Sequence, residues 1–113
     1  MSYKLVVTPK AEELLDNILS YIAYRLRNPQ VVGVLLKEIE NIHDRLRNSP
    51  AIYGYIQEPF FRLKEYRKAL VAHYEYVIIF RVDEESKQVY IVGYFHEREL
   101  YMEKLSEPRV GEF

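Results

Sequence analysis

Cysteine is absent from this chain of 113 residues. Its absence excludes disulfides and thiolate metal sites, and it suits a reducing, cytoplasmic setting. Long apolar runs are absent as well. The longest after the N-terminal region spans Tyr76 to Phe80, far short of the roughly 20 residues that cross a bilayer. The opening MSYKLVVTPK lacks the apolar stretch of a signal peptide. A soluble protein with no membrane partner is therefore expected. Net charge is nearly absent too: 16 basic side chains against 17 acidic ones leave −1. No global field draws the chain toward nucleic acid or a membrane, so any anion-binding surface must come from local sorting of charge. No repeat, low-complexity tract or linker divides the sequence, and its length suits a single domain, 1–113. The three histidines lie far apart without ligand spacing, so neither a metal nor a cofactor is expected.

What is present is a clear change of hydrophobic period. About half of the residues are apolar (49%), enough for one core. YKLVV, residues 3–7, reads as a short strand. Thr8-Pro9 is a helix-start signal, because the hydroxyl caps and proline suits the first helical position. Ala11, Leu14, Leu15, Ile18, Ile22 and Leu26 recur at threes and fours, which predicts an amphipathic helix ending near Arg27. Asn28-Pro29 repeats the signal, and a second helix with Val32, Leu35, Ile39, Ile42 and Leu46 runs to Asn48-Ser49-Pro50. The short connection makes the pair an αα-hairpin. Residues 61–72 and 74–82 then favour strand, DEESK (83–87) is a polar turn, 88–96 is the returning strand, and RELYMEKL (98–105) reads as a closing helix. The expected fold is α+β, in the order β-α-α-β-β-β-α. A small, mainly antiparallel sheet carries the helical hairpin on one face.

Strand alternation assigns faces. In the last strand Val89, Ile91, Gly93 and Phe95 are expected under the helices, and Tyr90, Val92, Tyr94 and His96 on an open face. In the preceding strand the side bearing Glu75, Val77, Ile79 and Arg81 is expected to be the open one. Charge is sorted as well. Residues 60–82 hold Arg62, Lys64, Arg67, Lys68 and Arg81 against Glu65 and Glu75, a net of +3. Such an excess reads equally as a solvated strand edge, where lysines discourage aggregation, or as a groove for a polyanion. His43, beside the apolar stripe of the second helix, reads as structural. His73 suits a turn flank or an RNA contact. Glu97 and Glu99 suit pairing with Arg98 or facing water. Most of the 11 tyrosines are expected to pack rather than bind.

Four pieces in register over nearly the whole chain resemble the RelE/ParE superfamily of toxins from type II toxin–antitoxin systems. They are TPKAEELLDNILSYI, Asn28-Pro29, HYEYVIIFRVDEESKQVYIV and FHERELY. The hairpin carries most of the likeness. This chain differs where many relatives place a glycine and an arginine at the head of the hairpin, having Ala72-His73-Tyr74-Glu75. It also differs at the end, where His96-Glu97-Arg98-Glu99 stands in place of a His-x-x-Arg-Asp sequence. The resemblance implies a small sheet braced by the hairpin, growth inhibition, a cognate antitoxin partner, and operator DNA reached only through the antitoxin complex. Plasmid stabilization is the associated role.

Two activities follow from that likeness. The first is a ribosome-dependent mRNA endoribonuclease (an mRNA interferase), whose partners are the ribosome and mRNA. Metal-free cleavage has the 2′-hydroxyl attack the adjacent phosphate, which needs a base, an acid and cations around one phosphorus. His96 is the candidate for acid or base. Arg98 and Arg81 would hold the phosphate, and Tyr101 would stack or transfer a proton. Arg62, Lys64, Arg67, Lys68, His73, Tyr90 and Tyr94 would bind RNA. The second activity is inhibition of DNA gyrase by binding, with no catalytic site. A third possibility is a degenerate toxin retained as antitoxin partner and co-repressor. An exposed apolar surface, covered by the antitoxin, is expected in each case.

Overall fold

The computed structural model describes residues 2–71 and 75–97. Strand β1 (Lys4–Val7) leads into helix α1 (Pro9–Ser20), and helix α2 (Pro29–Asn48) follows. Both helices start as their sequences predict. Thr8 Oγ1 accepts from the Ala11 N–H at 3.2 Å, and Asn28 Oδ1 accepts from the Val31 N–H at 3.4 Å, each with a proline just inside. The end of the first helix differs from the expectation. A π-helical turn, Tyr21–Arg25, replaces the last α turn, with the Leu26 N–H donating to the Tyr21 carbonyl five residues back at 3.1 Å. The wider turn changes the phase of the stripe. Ile22 stays buried, whereas Leu26, assigned to the buried face, is left exposed. In α2 the expected Leu35, Ile39, Ile42 and Leu46 are all buried.

The span 61–72 is not one strand. Helix α3 (Pro59–Leu63) occupies its start and strand β2 (Tyr66–Val71) its end. Glu58 caps α3, its carboxylate accepting from the N–H groups of Phe60 and Phe61 at 3.2 and 3.3 Å, with Pro59 at the first helical position. The turn between them places Glu65 at a φ of 62°. Strands β3 (Tyr76–Asp83) and β4 (Gln88–His96) form the expected hairpin. Asp83 Oδ1 accepts from the Glu85 and Ser86 N–H groups at its turn. The closing helix predicted for 98–105 lies outside the described residues. Among the described residues no helix is long and apolar enough to cross a membrane.

The sheet order is β1-β4-β3-β2, with β1 parallel to β4 and the other two pairs antiparallel. The outer edge of β2 is partly covered by the chain before α3. Ile56 donates to the Tyr66 carbonyl at 2.9 Å, and Lys68 donates to the Gly54 carbonyl at 3.2 Å. On one face Ala11, Ile22, Leu35, Ile39, Ile42 and Leu46 of the helical layer pack on Ala69, Val71, Ile78, Phe80, Val89, Ile91 and Tyr94. On the other face Ile56 and Phe61 cover Val77, Ile79 and Phe95. That face was expected to be open beside Glu75 and Arg81. It is closed over its middle, because α3 supplies a second apolar layer.

The assignment within β4 is also corrected. Pairing with β3 steps from Ile79↔Gly93 to Phe80↔Ile91, leaving Val92 without a partner. This one-residue bulge reverses the alternation. Val89 and Ile91 face the helices as expected, but Gly93 and Phe95 turn to the α3 side. Tyr94 and His96 turn to the helical side, away from Tyr90.

Candidate functional site

The bulge decides which polar side chains meet. Tyr94, assigned above to an open RNA-binding face, is only 2% exposed and lies in the main core. Its hydroxyl bonds His43 Nε2 of α2 at 3.0 Å, so His43 is structural, as its place beside the stripe suggested. Burial, with Arg47 nearby, lowers the pKa of His43 below its usual 6.5, and Asp44 opposes this weakly. Burial, with a smaller contribution from Glu12, raises that of Tyr94.

The His43 shift has a stability consequence. Above pH 6.5 His43 is neutral in both folded and unfolded chains. As the pH falls below that value, the unfolded chain takes up a proton that the folded chain resists. Stability present above pH 6.5 is thus lost on acidification toward the lowered folded pKa. Urea midpoints measured on either side of pH 6.5 are expected to fall more on acidification in wild type than in His43→Gln. Parallel pH dependences would sink this assignment.

His96 ends β4 opposite Tyr76, whose ring it meets edge-on at 5.3 Å. Its side chain is 32% exposed, with Nε2 3.6 Å from Glu75 Oε2. It borders a cleft of about 290 Å³ against α1, with Leu14, Asn17, Tyr21, Tyr76 and Tyr94 among its walls. Arg81 lies elsewhere. It is the cross-strand partner of Tyr90, with its Cζ 5.2 Å from that ring's centroid, and Tyr90 donates its hydroxyl hydrogen to Gln88 Oε1. Tyr76 and Arg81 are five residues apart on unbulged β3. The two therefore point to opposite faces, roughly 16 Å apart along the strand. The sheet thus separates His96 from Arg81. Arg98, Tyr101 and His73, the other members of the candidate set, lie outside the described residues.

The remaining basic residues gather at the corner where α3 meets β2. Arg62 and Arg67 place Cζ 3.8 and 3.9 Å from the centroid of the Tyr55 ring. Two guanidinium groups cannot share one ring face at that height, so Tyr55 is held between them. Arg67 also donates through Nη1 to the Tyr53 carbonyl at 2.6 Å. Lys64 lies with Nζ 5.1 Å from the Phe60 ring centroid, and the Lys68 side chain is exposed. Sequence reasoning listed these cations but missed Tyr55, which organises two of them. Arg62, five residues from Arg67, shares an aromatic with it only because α3 turns the chain back, so no linear pattern announces the cluster. Among the described residues no group of three or more His, Asp or Glu side chains is placed to hold a metal.

Among the described residues, large apolar side chains stand exposed on the helical hairpin (Tyr21, Tyr24, Leu26 and Val34), at Ile52 after α2, and around α3 and β2 (Phe60, Leu63 and Leu70).

A family model described as the ParE toxin of the type II toxin–antitoxin system parDE matches residues 5–101. Two solved structures share the architecture. A chromosomal ParDE toxin–antitoxin system from P. aeruginosa superposes with a TM-score of 0.67 at 20% identity, covering 84% of this chain and 96% of that one. The RelBE2 toxin–antitoxin complex from Mycobacterium tuberculosis superposes with a TM-score of 0.58 at 16% identity, covering 85% and 99%. No curated protein matches the chain.

Proposed function

Because this chain belongs to the ParE family of toxins from type II toxin–antitoxin systems, we propose that it arrests growth by binding DNA gyrase and cuts no RNA. The observation that carries this reading is the separation of His96 from Arg81 by the sheet. In-line attack by a 2′-hydroxyl needs its proton acceptor and its phosphate-binding cation within a few ångströms of one phosphorus. A base and a cation roughly 16 Å apart on opposite faces do not share a phosphate. Tyr94, buried against His43, also gives no base a surface on which to stack. A toxin that acts by occupying a protein target needs no such convergence. It needs exposed apolar and charged surface, and the helical hairpin and the α3–β2 corner both supply it. A cognate antitoxin is the natural partner, since both structural neighbours come from toxin–antitoxin systems. A gyrase target places the toxin in the cytoplasm, and operator DNA is reached through the antitoxin complex.

The test pairs growth with the two molecular readouts. Induction of the wild-type chain is expected to arrest growth, accumulate DNA breaks and inhibit supercoiling by purified gyrase, while mapped mRNA 5′ ends stay unchanged. His96→Ala and Arg81→Ala are each expected to keep the arrest. New mRNA ends that disappear in His96→Ala would replace this reading with the endoribonuclease. Absence of any arrest would favour the degenerate toxin.

A further inference from the structure

We propose that the α3–β2 corner is a docking surface for an acidic, leucine-bearing peptide segment of a partner protein, held by Arg62, Lys64 and Arg67 and by the exposed side chain of Leu63. The proposal concerns one of the two surfaces the gyrase reading draws on, but it requires no particular target, and its binding test does not depend on that reading. Charge complementarity is the first argument. Residues 60–82 carry a net +3 within a chain of net −1, and four of the five cations lie between positions 62 and 68. Two of these four, Arg62 and Arg67, are held in place. Tyr55 is clamped between the guanidinium groups of Arg62 and Arg67 at 3.8 and 3.9 Å, and Arg67 is tethered to the Tyr53 carbonyl. Each guanidinium carbon is held within 3.9 Å of the ring centroid, and the N–H fork of an arginine meets carboxylates in bidentate fashion. Pre-ordered side chains lose less rotamer freedom on binding.

The second argument chooses peptide over nucleic acid. Tyr55 has both ring faces covered, so it offers no base-stacking platform. The most exposed large apolar side chain in the described structure, Leu63 at 87%, stands within this cationic corner. It shares an open cleft of about 570 Å³ with Gln57, Pro59, Arg62 and Glu65. Phe60 adds a second exposed apolar surface beside Lys64. A phosphate backbone gains nothing from the aliphatic Leu63, whereas a peptide that mixes carboxylates with aliphatic side chains satisfies both the charge and the apolar surface. Glu65, also lining the cleft, disfavours an incoming carboxylate beside it.

Binding of a fluorescent peptide alternating glutamate and leucine, followed by anisotropy at low salt, tests the proposal. Wild type is expected to bind it, and Arg62→Glu to bind about tenfold more weakly. Leu63→Ser is expected to weaken binding by about as much, with the melting temperature unchanged because the side chain is solvated. A control peptide with serine in place of leucine is expected to bind more weakly than the parent. Equal binding by wild type and both variants would overturn the proposal. So would displacement of the peptide by a single-stranded oligouridylate whose own affinity drops in Arg62→Glu and is untouched by Leu63→Ser, the signature of a phosphate site.

Discussion

Phe80→Ala is expected to lower the unfolding free energy by about 3–5 kcal/mol and the melting temperature by roughly 10–25 °C. The reason is position. Phe80 lies in β3, an inner strand of the sheet, and is fully buried between Arg67 of β2 and Ile91 of β4 in the register. Its ring meets Tyr53 edge-on at 5.9 Å, and the Tyr53 carbonyl holds Arg67. Truncation opens a cavity where the helical layer, the sheet and the β2 edge segment meet, and these three cannot all collapse into it. Domains of this size have only about 5–15 kcal/mol in total, so the variant keeps little reserve. Because Tyr53 loses its ring partner, the loss should also loosen the Arg62–Tyr55–Arg67 stack. Chemical denaturation read by circular dichroism checks the first effect, and a change in tyrosine fluorescence at low denaturant checks the second. Leu63→Ala, at an exposed position of comparable chemistry, is the reference and should stay within about 0.5 kcal/mol of wild type. A Phe80→Ala loss below about 1.5 kcal/mol would mean the site repacks, and the account of a shared junction would be wrong.

How far such features were legible beforehand depended on whether they are local. Thr8-Pro9 and Asn28-Pro29 were readable because a cap and a fixed proline φ act within one turn, and both work as read. Glu58-Pro59 uses the same arrangement. It went unread because glutamate is an uncommon cap and the aromatics after it, Phe60 and Phe61, favour strand on propensity alone. The contact that overrides propensity is tertiary: Phe61 stacks on Tyr66 at 5.7 Å within the second core. Leu26 fitted a period that the π-helical turn interrupts, and nothing in YIAYR (21–25) announces that turn. The site suffered most from the bulge. A one-residue slip beyond Ile91 moved Tyr94 and His96 to the face opposite Tyr90 and Arg81, so residues that alternation placed together belong to different environments. The cations at 62–68 were visible as charge, yet their arrangement around Tyr55 depends on a turn that was not. One clue to the bulge was present. An isolated glycine inside an aromatic and β-branched strand marks a bulge or a close approach, and Gly93 stands next to the unpaired Val92.

Gly93 is therefore the position where the smallest change should do the most harm. A Cβ built there lies 2.2 Å from Phe95 Cε2 and 2.6 Å from Cζ, inside any tolerable contact. The demand is one of space: Phe95, two residues along and on the same face, lays its ring over the glycine. That ring has nowhere to go, since it is buried among Ile56, Phe61, Val77 and Ile79. Gly93→Ala must push Phe95 off its rotamer or prise α3 from the sheet, and is expected to cost about 1–3 kcal/mol. The strand-favouring loss of glycine's chain entropy offsets only about 0.5–1 kcal/mol of this. A double-mutant cycle isolates the cause. Phe95→Ala alone is expected to cost about 3–5 kcal/mol as a core truncation, but in that background Gly93→Ala should become neutral or stabilising. The coupling between the two positions should fall within about 0.5–3 kcal/mol. Additive losses would show that glycine is needed at 93 for some reason other than the ring. A coupled result would tie the bulge, the second core and the seating of α3 into one unit, and with them the surface that Arg62 and Leu63 present.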